Sequence, residues 1–389
     1  MRHFSYMSGP QEAALFARAP QAYKLGSDRQ TLRMALGATL YTPGTRTDYA
    51  NRLPWLVQLG MTSSVLCLED AIADADVRAA EHNVVAQIGA VHRAGNDAAM
   101  LFIRVRNAEQ VPVLVDSLGQ AAASLCGFVF PKFTAANGRE YFEALAQARR
   151  STGLPFYGMP VLESSETIHT ETRVGELVAV RSLLTEYADS VLTVRIGATD
   201  LCGVYGLRRA REVTVYDLAV VREAIADIVN VFARDDTFSV SGPVWEHFGG
   251  GERLFKPQLR QSPFQQRLGL SRALSVRHDL ITRNLDGLMR EVVLDQATGI
   301  VGKTVIHPSH IRPVHALYAV NAEEFADAET VLDTAGQGGV RVSTYANKMI
   351  EARPHARWAE ITLSRAEVYG VLRPDRTFVD LLAMEDVTE

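Results

Sequence analysis

Phe156-Tyr157-Gly158-Met159-Pro160-Val161-Leu162-Glu163 is an apolar run that ends in a single carboxylate. Val191-Leu192-Thr193-Val194-Arg195-Ile196-Gly197-Ala198-Thr199-Asp200 repeats the pattern, its acid 37 positions further on. That distance is about one strand plus one helix. In an α/β barrel it places both acids at one mouth, on neighbouring strands. Two hard oxygen ligands with room left for water and substrate is the usual way a protein holds Mg²⁺. Read alone, Glu163 could equally cap a helix or pair with a lysine. Asp200 could equally be a helix N-cap, a position that favours short acids.

Outward from this pair the same rhythm continues. Short β-rich runs lie near 37–41, 64–68, 100–105, 127–130, 156–162, 191–197, 237–241 and 300–306. Helical patterns lie between them, such as Ser117 to Ala123, Glu140 to Arg150 and Leu218 to Arg234. The runs are continuously apolar, which is the mark of parallel strands covered on both faces. Eight such units predict an α/β fold of the (β/α)8 TIM-barrel type with a helical C-terminal extension. The alternative is a doubly wound open sheet, but no GxGxxG follows an early strand. The expected organisation is an N-terminal extension over 1–35, a barrel over 36–320, and a helical lid or oligomerisation region over 321–389. A basic insert over 246–299 opens with Gly249-Gly250-Gly251 and carries eight lysines and arginines, among them Arg253, Lys256, Arg260, Arg267, Arg272, Arg283 and Arg290. A second Gly-rich turn, Gly336-Gln337-Gly338-Gly339, interrupts the C-terminal region.

Bulk properties narrow the function classes. The net charge of −5 provides no overall attraction for nucleic acid or an anionic membrane. No apolar run reaches the length of a membrane span, and the first ten residues lack a signal peptide's apolar core. Cys67, Cys126 and Cys202 have no CxxC spacing, which points to a reducing cytoplasm and to packing roles.

In a barrel each strand delivers its polar residues to one face. Here these are Thr42-Pro43-Gly44-Thr45-Arg46, Glu69-Asp70, Arg104 with Asn107, Pro131-Lys132, Glu163, Asp200 and His307-Pro308-Ser309. The ordered set Tyr-Thr-Pro-Gly-Thr-Arg, Leu-Glu-Asp-Ala, Ile-Arg-Val-Arg-Asn, Phe-Pro-Lys, Val-Leu-Glu-Ser, Ile-Gly-Ala-Thr-Asp-Leu and Gly-Lys-Thr-Val-Ile-His-Pro-Ser resembles the citrate lyase β-subunit family. That family belongs to the wider aldolase superfamily that also holds malyl-CoA lyases. The resemblance covers about 38 to 320, and Asn347-Lys348-Met349-Ile350-Glu351 extends it to about 358 by its similarity to a lid segment. The long insert and the Asn-Lys-Met tail also resemble a barrel-lyase branch associated with bacterial tellurium resistance.

The resemblance implies roles for particular residues. Glu163 and Asp200 match the Mg²⁺ ligands, with Mn²⁺ as a substitute metal. Arg104 matches the arginine that grips a substrate carboxylate. Glu69 and Asp70 match the acidic pair near the metal, and Glu351 matches the lid acid that reaches a neighbouring subunit. Arg46, Lys132, Gly197 and Thr199 are candidate substrate contacts. Three departures stand out: Cys67 and Thr199 replace acids, and Ser241-Gly242-Pro243 replaces an aspartate-containing turn. These leave open the substrate and the use of a CoA thioester.

The implied activity is Mg²⁺-dependent carbon–carbon lyase or aldolase chemistry on a 2-oxo or 2-hydroxy acid adduct, such as a citryl- or malyl-CoA-like thioester. Other readings are thioester hydrolysis at the same metal, or a partner subunit that has lost turnover. The resemblance also implies a homo-oligomer, a trimer or a hexamer. The bland readings stay beside these. Arg104 has a lesser reading as a buried strand-end ion pair, and Glu69 and Asp70 one as caps of the helix after the second strand. Lys132 and Arg46 read as surface salt bridges, His307 as a turn histidine, and the insert's basic residues as a solvated face or a phosphate and CoA site.

Overall fold

Eight short parallel strands form the wall of the molecule in this computed structural model, which describes residues 1–95, 97–248, 267–268, 270–282, 285–334, 340–343 and 345–384. In chain order they are β1 (Ala38–Pro43), β2 (Ser63–Cys67), β3 (Met100–Arg104), β4 (Leu125–Phe130), β5 (Tyr157–Leu162), β6 (Val194–Ile196), β7 (Val240–Ser241) and β8 (Lys303–Val305). Their order around the sheet is β7-β6-β5-β4-β3-β2-β1-β8. A parallel bridge between Gly242 and Lys303 joins the two ends, so the ring closes. The chain folds as the expected TIM barrel. All eight strands fall where the apolar runs predict them.

The reason is visible in burial. Every residue of β2, β3 and β4 is buried. Such strands need helices on one face and a packed interior on the other. The strands also pack closely: a Cβ on Gly127 of β4 would lie 1.9 Å from the Tyr157 carbonyl oxygen of β5. The helices Gly138–Thr152 and Ala219–Phe232 agree with the periodicity reading. The helix expected at Ser117 to Ala123 instead runs over Gln110–Leu118. Gly119, at φ 52, ends it in a backbone conformation that favours glycine.

The stretch read from the sequence as a basic insert contains a wall helix. Leu285–Ala297 turns Glu291 and Asp295 inward, one helical turn apart, onto Lys303 of β8. Lys303 Nζ donates to Glu291 Oε1 at 2.8 Å and to Asp295 Oδ2 at 2.7 Å. Arg209 Nη1 donates to Glu291 Oε2 at 2.6 Å, and Tyr216 Oη to Asp295 Oδ1 at 2.5 Å. All four charged side chains are fully shielded or nearly so.

The described arginines of that stretch hold the fold together. Arg267 forms a forked pair with Asp380, Arg272 donates to the Ala383 carbonyl at 2.6 Å, and Arg290 meets Asp217 at 3.1 Å. All three are thus bonded within the chain. Gly249, Gly250, Gly251, Arg253, Lys256, Arg260 and Arg283 lie outside the described residues, as does the Gly336–Gly339 turn.

The two chain ends meet beneath the barrel. Phe16–Arg18 pairs antiparallel with Val371–Leu372, and His3 stacks on Tyr369 at 4.2 Å. Helices Ala322–Thr334 and Ala352–Tyr369 carry a hairpin formed by Val340–Val342 and Met349–Glu351. No described helix is long and apolar enough to cross a membrane.

Candidate active site

Arg104 is the last residue of β3, and its guanidinium turns into the mouth. A single nitrogen, Nη2, faces three acids: Glu163 at 2.6 Å, Glu69 at 2.9 Å and Asp70 at 3.5 Å. Burial works against the charge of Arg104. Glu163 and the neighbouring acids more than offset it, so the pKa is raised and the side chain is always a cation. Its Nε is buried with no hydrogen-bond partner among the described residues. An orphaned donor of this kind fits an acceptor brought by a ligand.

Lys132, just after β4, supplies the second cation. Its Nζ lies 2.7 Å from Glu69 Oε1, 3.1 Å from Asp70 Oδ1 and 3.4 Å from Asp200 Oδ1. Its backbone has φ 46, a conformation uncommon outside glycine. Two hydrogen bonds hold it there. Lys132 N donates to Glu163 Oε1 at 2.9 Å, and Asn137 Nδ2 donates to the Lys132 carbonyl at 3.0 Å. The strained turn thus helps to aim Glu163.

Glu163 directly follows β5, and its side chain is only 2% exposed. Burial pushes its pKa up to about 7, with Arg104 opposing and Asp200 adding to the rise. Oε1 takes both available donors. Oε2 has no donor among the described residues, and it faces Gly197, where a Cβ would come within 2.1 Å of it. Glycine at 197 is therefore a condition for placing this carboxylate. Asp200 follows in the first turn of the helix Ala198–Val204, whose N-cap is Gly197. It is not the N-cap, and only its Oδ1 meets Lys132. Burial pushes Glu69 up. Asp70 is also pushed up by burial, but its bond to Glu69 and the charges of Arg104 and Lys132 bring it below the ordinary carboxylate range.

These side chains border a cavity of about 520 Å³ lined by Asp70, Arg104, Glu163, Gly197, Thr199 and Asp200, with Tyr41 and Arg195. Among the described residues no three His, Cys, Asp or Glu side chains converge as a ready-made metal cage. Two bare carboxylate oxygens beside open space is the arrangement expected for a hard cation that keeps water and substrate as its other ligands. The four acids Glu69, Asp70, Glu163 and Asp200 outnumber Arg104 and Lys132, and an added cation corrects that excess.

The remaining sequence-derived candidates divide. Thr199 lines the cavity and donates to Glu246 Oε1 at 2.8 Å. Arg46 is on the rim, bonded to Asp48 at 2.9 Å, and lines an adjoining cavity of about 600 Å³. Tyr41 and Ile306 border both spaces. Glu351 is not brought to the cluster within one chain. It pairs with Val340 in the C-terminal hairpin, and its backbone N–H reaches His355 Nδ1 at 3.2 Å. His307 serves as a turn residue, with Nδ1 accepting from Ser309 N at 3.2 Å. Cys67, Cys126 and Cys202 are buried free thiols.

Two residues escaped the sequence reading. Glu246 follows β7 in a segment with no strand-end motif. Arg195 sits within an apolar run, and a charge in the middle of such a run was the available signal.

The family described as C–C bond lyase of the TIM-barrel fold matches residues 30–371. Among solved structures, a citrate lyase from Burkholderia xenovorans LB400 superposes with a TM-score of 0.59 at 15% identity, covering 87% of this chain and 94% of its own. The Mycobacterium tuberculosis protein CitE, in complex with magnesium, acetoacetate and coenzyme A, superposes with a TM-score of 0.50 at 20% identity, covering 86% and 99%. At these identities the likeness is one of fold. A search of curated proteins finds no match.

Proposed function

The chain belongs to the carbon–carbon bond lyases of the TIM-barrel fold, and on that premise we propose that it cleaves a 2-oxo or 2-hydroxy acid adduct at a Mg²⁺ site formed by Glu163 and Asp200. The observation that carries this reading is a pair of oxygens, Glu163 Oε2 and Asp200 Oδ2, that have no partner among the described residues and lie at the edge of the cavity that Arg104 also lines. When bound, the cation supplies Lewis-acid stabilisation of charge on a chelated oxygen.

This chain's own residues do the rest. Arg104 orients a substrate carboxylate through its orphaned Nε, in a planar grip that lysine lacks. Lys132 places positive charge over the acids and steadies the charge that develops in the departing fragment. Glu69 and Asp70, both bonded to Lys132 at the rim, are the acids placed to move a proton to or from the substrate. Glu351 joins only from a second copy. Val340, Val342 and Met349 expose apolar side chains on the hairpin that carries it, which supports assembly through this extension.

The Mycobacterium tuberculosis protein is in complex with coenzyme A, in keeping with a CoA thioester as one substrate class. The test is incubation of the protein with Mg²⁺ and a panel of citryl-, malyl- and methylmalyl-CoA and free 2-oxo acid adducts, with products read by mass spectrometry. Cleavage to an oxo acid and an acyl fragment, lost with EDTA, is the expected result. Free CoA without an acid fragment indicates hydrolysis instead. Metal binding with no product from any adduct overturns the catalytic reading.

A further inference from the structure

Arg195 is a second arginine of the cavity, and its surroundings differ from those of Arg104. It is 1% exposed and still lines the cavity. From β6 its side chain crosses the barrel interior. Nη2 donates to Thr304 Oγ1 of β8 at 2.5 Å, and Nη1 meets Met159 Sδ of β5 at 3.8 Å. The guanidinium also lies 5.5 Å from the centre of the Tyr41 ring of β1. Three strands besides its own therefore fix its position.

Every other charged side chain that lines this cavity has a counter-ion. Arg104 has Glu163 and Glu69, while Asp70 and Asp200 have Lys132. Among the described residues Arg195 has none, only a hydroxyl, a thioether and a ring face. A desolvated guanidinium without a carboxylate is costly to keep. The same low-dielectric setting makes it a strong and selective anion acceptor.

We infer that Arg195 forms a second anion subsite in the cavity, and that the substrate is an acid carrying a second carboxylate, held at Arg195 while the first lies at the Arg104 end. This deepens the reading given above and rests on it for the first carboxylate. A guanidinium fits a carboxylate with two parallel hydrogen bonds. The bond to Thr304 leaves other N–H groups for that purpose. Because the group is already positioned, little freedom is lost when the anion arrives.

The test is calorimetric titration of the protein, in Mg²⁺, with the dicarboxylates oxaloacetate and 2-oxoglutarate and the monocarboxylates pyruvate and 2-oxobutyrate. The wild type binds at least one dicarboxylate about 10-fold or more tighter than either monocarboxylate. In Arg195→Gln that preference falls to near unity while monocarboxylate and Mg²⁺ affinities stay unchanged. Arg195→Lys keeps the charge but loses the fork, so its preference falls several-fold, and this variant decides the matter if the glutamine variant does not fold. An equal preference in wild type and variants, or none in the wild type, overturns the subsite. A separate Mg²⁺ titration keeps the two ideas apart. Failure to bind Mg²⁺ removes the metal reading, while the dicarboxylate ratio still judges Arg195.

Discussion

The mouth cluster and the wall cluster are built from the same chemistry and come out opposite. At the mouth, Arg104 and Lys132 face Glu69, Asp70, Glu163 and Asp200, two cations against four acids beside an open cavity. In the wall, Lys303 and Arg209 face Glu291 and Asp295, with no exposure at three of the four side chains and 1% at Arg209, and Glu246 lies 3.8 Å from Arg209 at the edge. Both clusters are short-ranged and hydrogen-bonded. Both wall acids have every carboxylate oxygen bonded, whereas the mouth leaves Glu163 Oε2 and Asp200 Oδ2 bare among the described residues. A buried network whose acids are all bonded holds elements together. One left unsatisfied beside a cavity waits for a ligand.

That contrast can be broken from either side. The largest effect is expected at the mouth. Glu163→Gln should lower turnover of the cognate adduct by about 10⁴-fold, roughly 5 kcal/mol of barrier, with the melting temperature within a few degrees of wild type. Steady-state kinetics beside a thermal melt separates the two. A collapse of stability with proportionate activity would place Glu163 in the structural class instead.

Next in size is the wall. Lys303→Met strands Glu291 and Asp295 without their cation and should destabilise by about 3–5 kcal/mol, read by urea denaturation. Lys132→Met, made for comparison, should cost about 1 kcal/mol or less, because that lysine is half exposed. Equal losses would erase the distinction between the regions.

Mg²⁺ itself sharpens the comparison. At 100 times its Kd it should add about 2.7 kcal/mol of apparent stability to the wild type and to a Glu291→Gln variant alike, and none to Glu163→Gln. A melt series with and without EDTA reads this directly.

The smallest effect concerns pH. His315 is buried neutral, and desolvation lowers its pKa to about 3, while its Nε2 accepts from Ala38 N at 3.0 Å. The unfolded chain binds this proton near pH 6.5 and the folded chain does not. Stability is therefore full above pH 6.5 and falls as the pH drops toward 3. Between pH 6.5 and 5 this histidine alone accounts for about 2 kcal/mol. Urea midpoints across that range in wild type and His315→Gln should show a shallower slope in the variant.

Much of this was legible in the chain. Continuously apolar runs such as Met100–Arg104 and Leu125–Phe130 place the strands, because only a doubly covered parallel sheet buries both faces. A strand end followed by a polar residue places Arg104, Glu163, Asp200 and Lys132 at one mouth, because every parallel strand delivers its C-terminus to the same side. The helix near residue 110 was displaced in the reading, since Val111, Leu114 and Val115 carry the buried face and Gly119 only ends it. The insert's arginines were open to a phosphate role because sequence records charge but not the distant partner. Asp380 lies 113 positions from Arg267 and pairs with it.

The order of strands and the acids at their ends were determined by the sequence itself, because alternation between buried runs and polar ends is local information. Which charges are balanced was decided only by the tertiary structure. Glu246 reaches Thr199, Glu291 and Asp295 close on Lys303, and Gly197 makes room for Glu163. Arg195 alone among the charged residues lining the cavity finds no counter-ion among the described residues. Pairing depends on distances across the barrel of a few ångströms between residues far apart in the chain. Coulomb energy in a low dielectric turns those distances into the difference between a structural bond and a binding site.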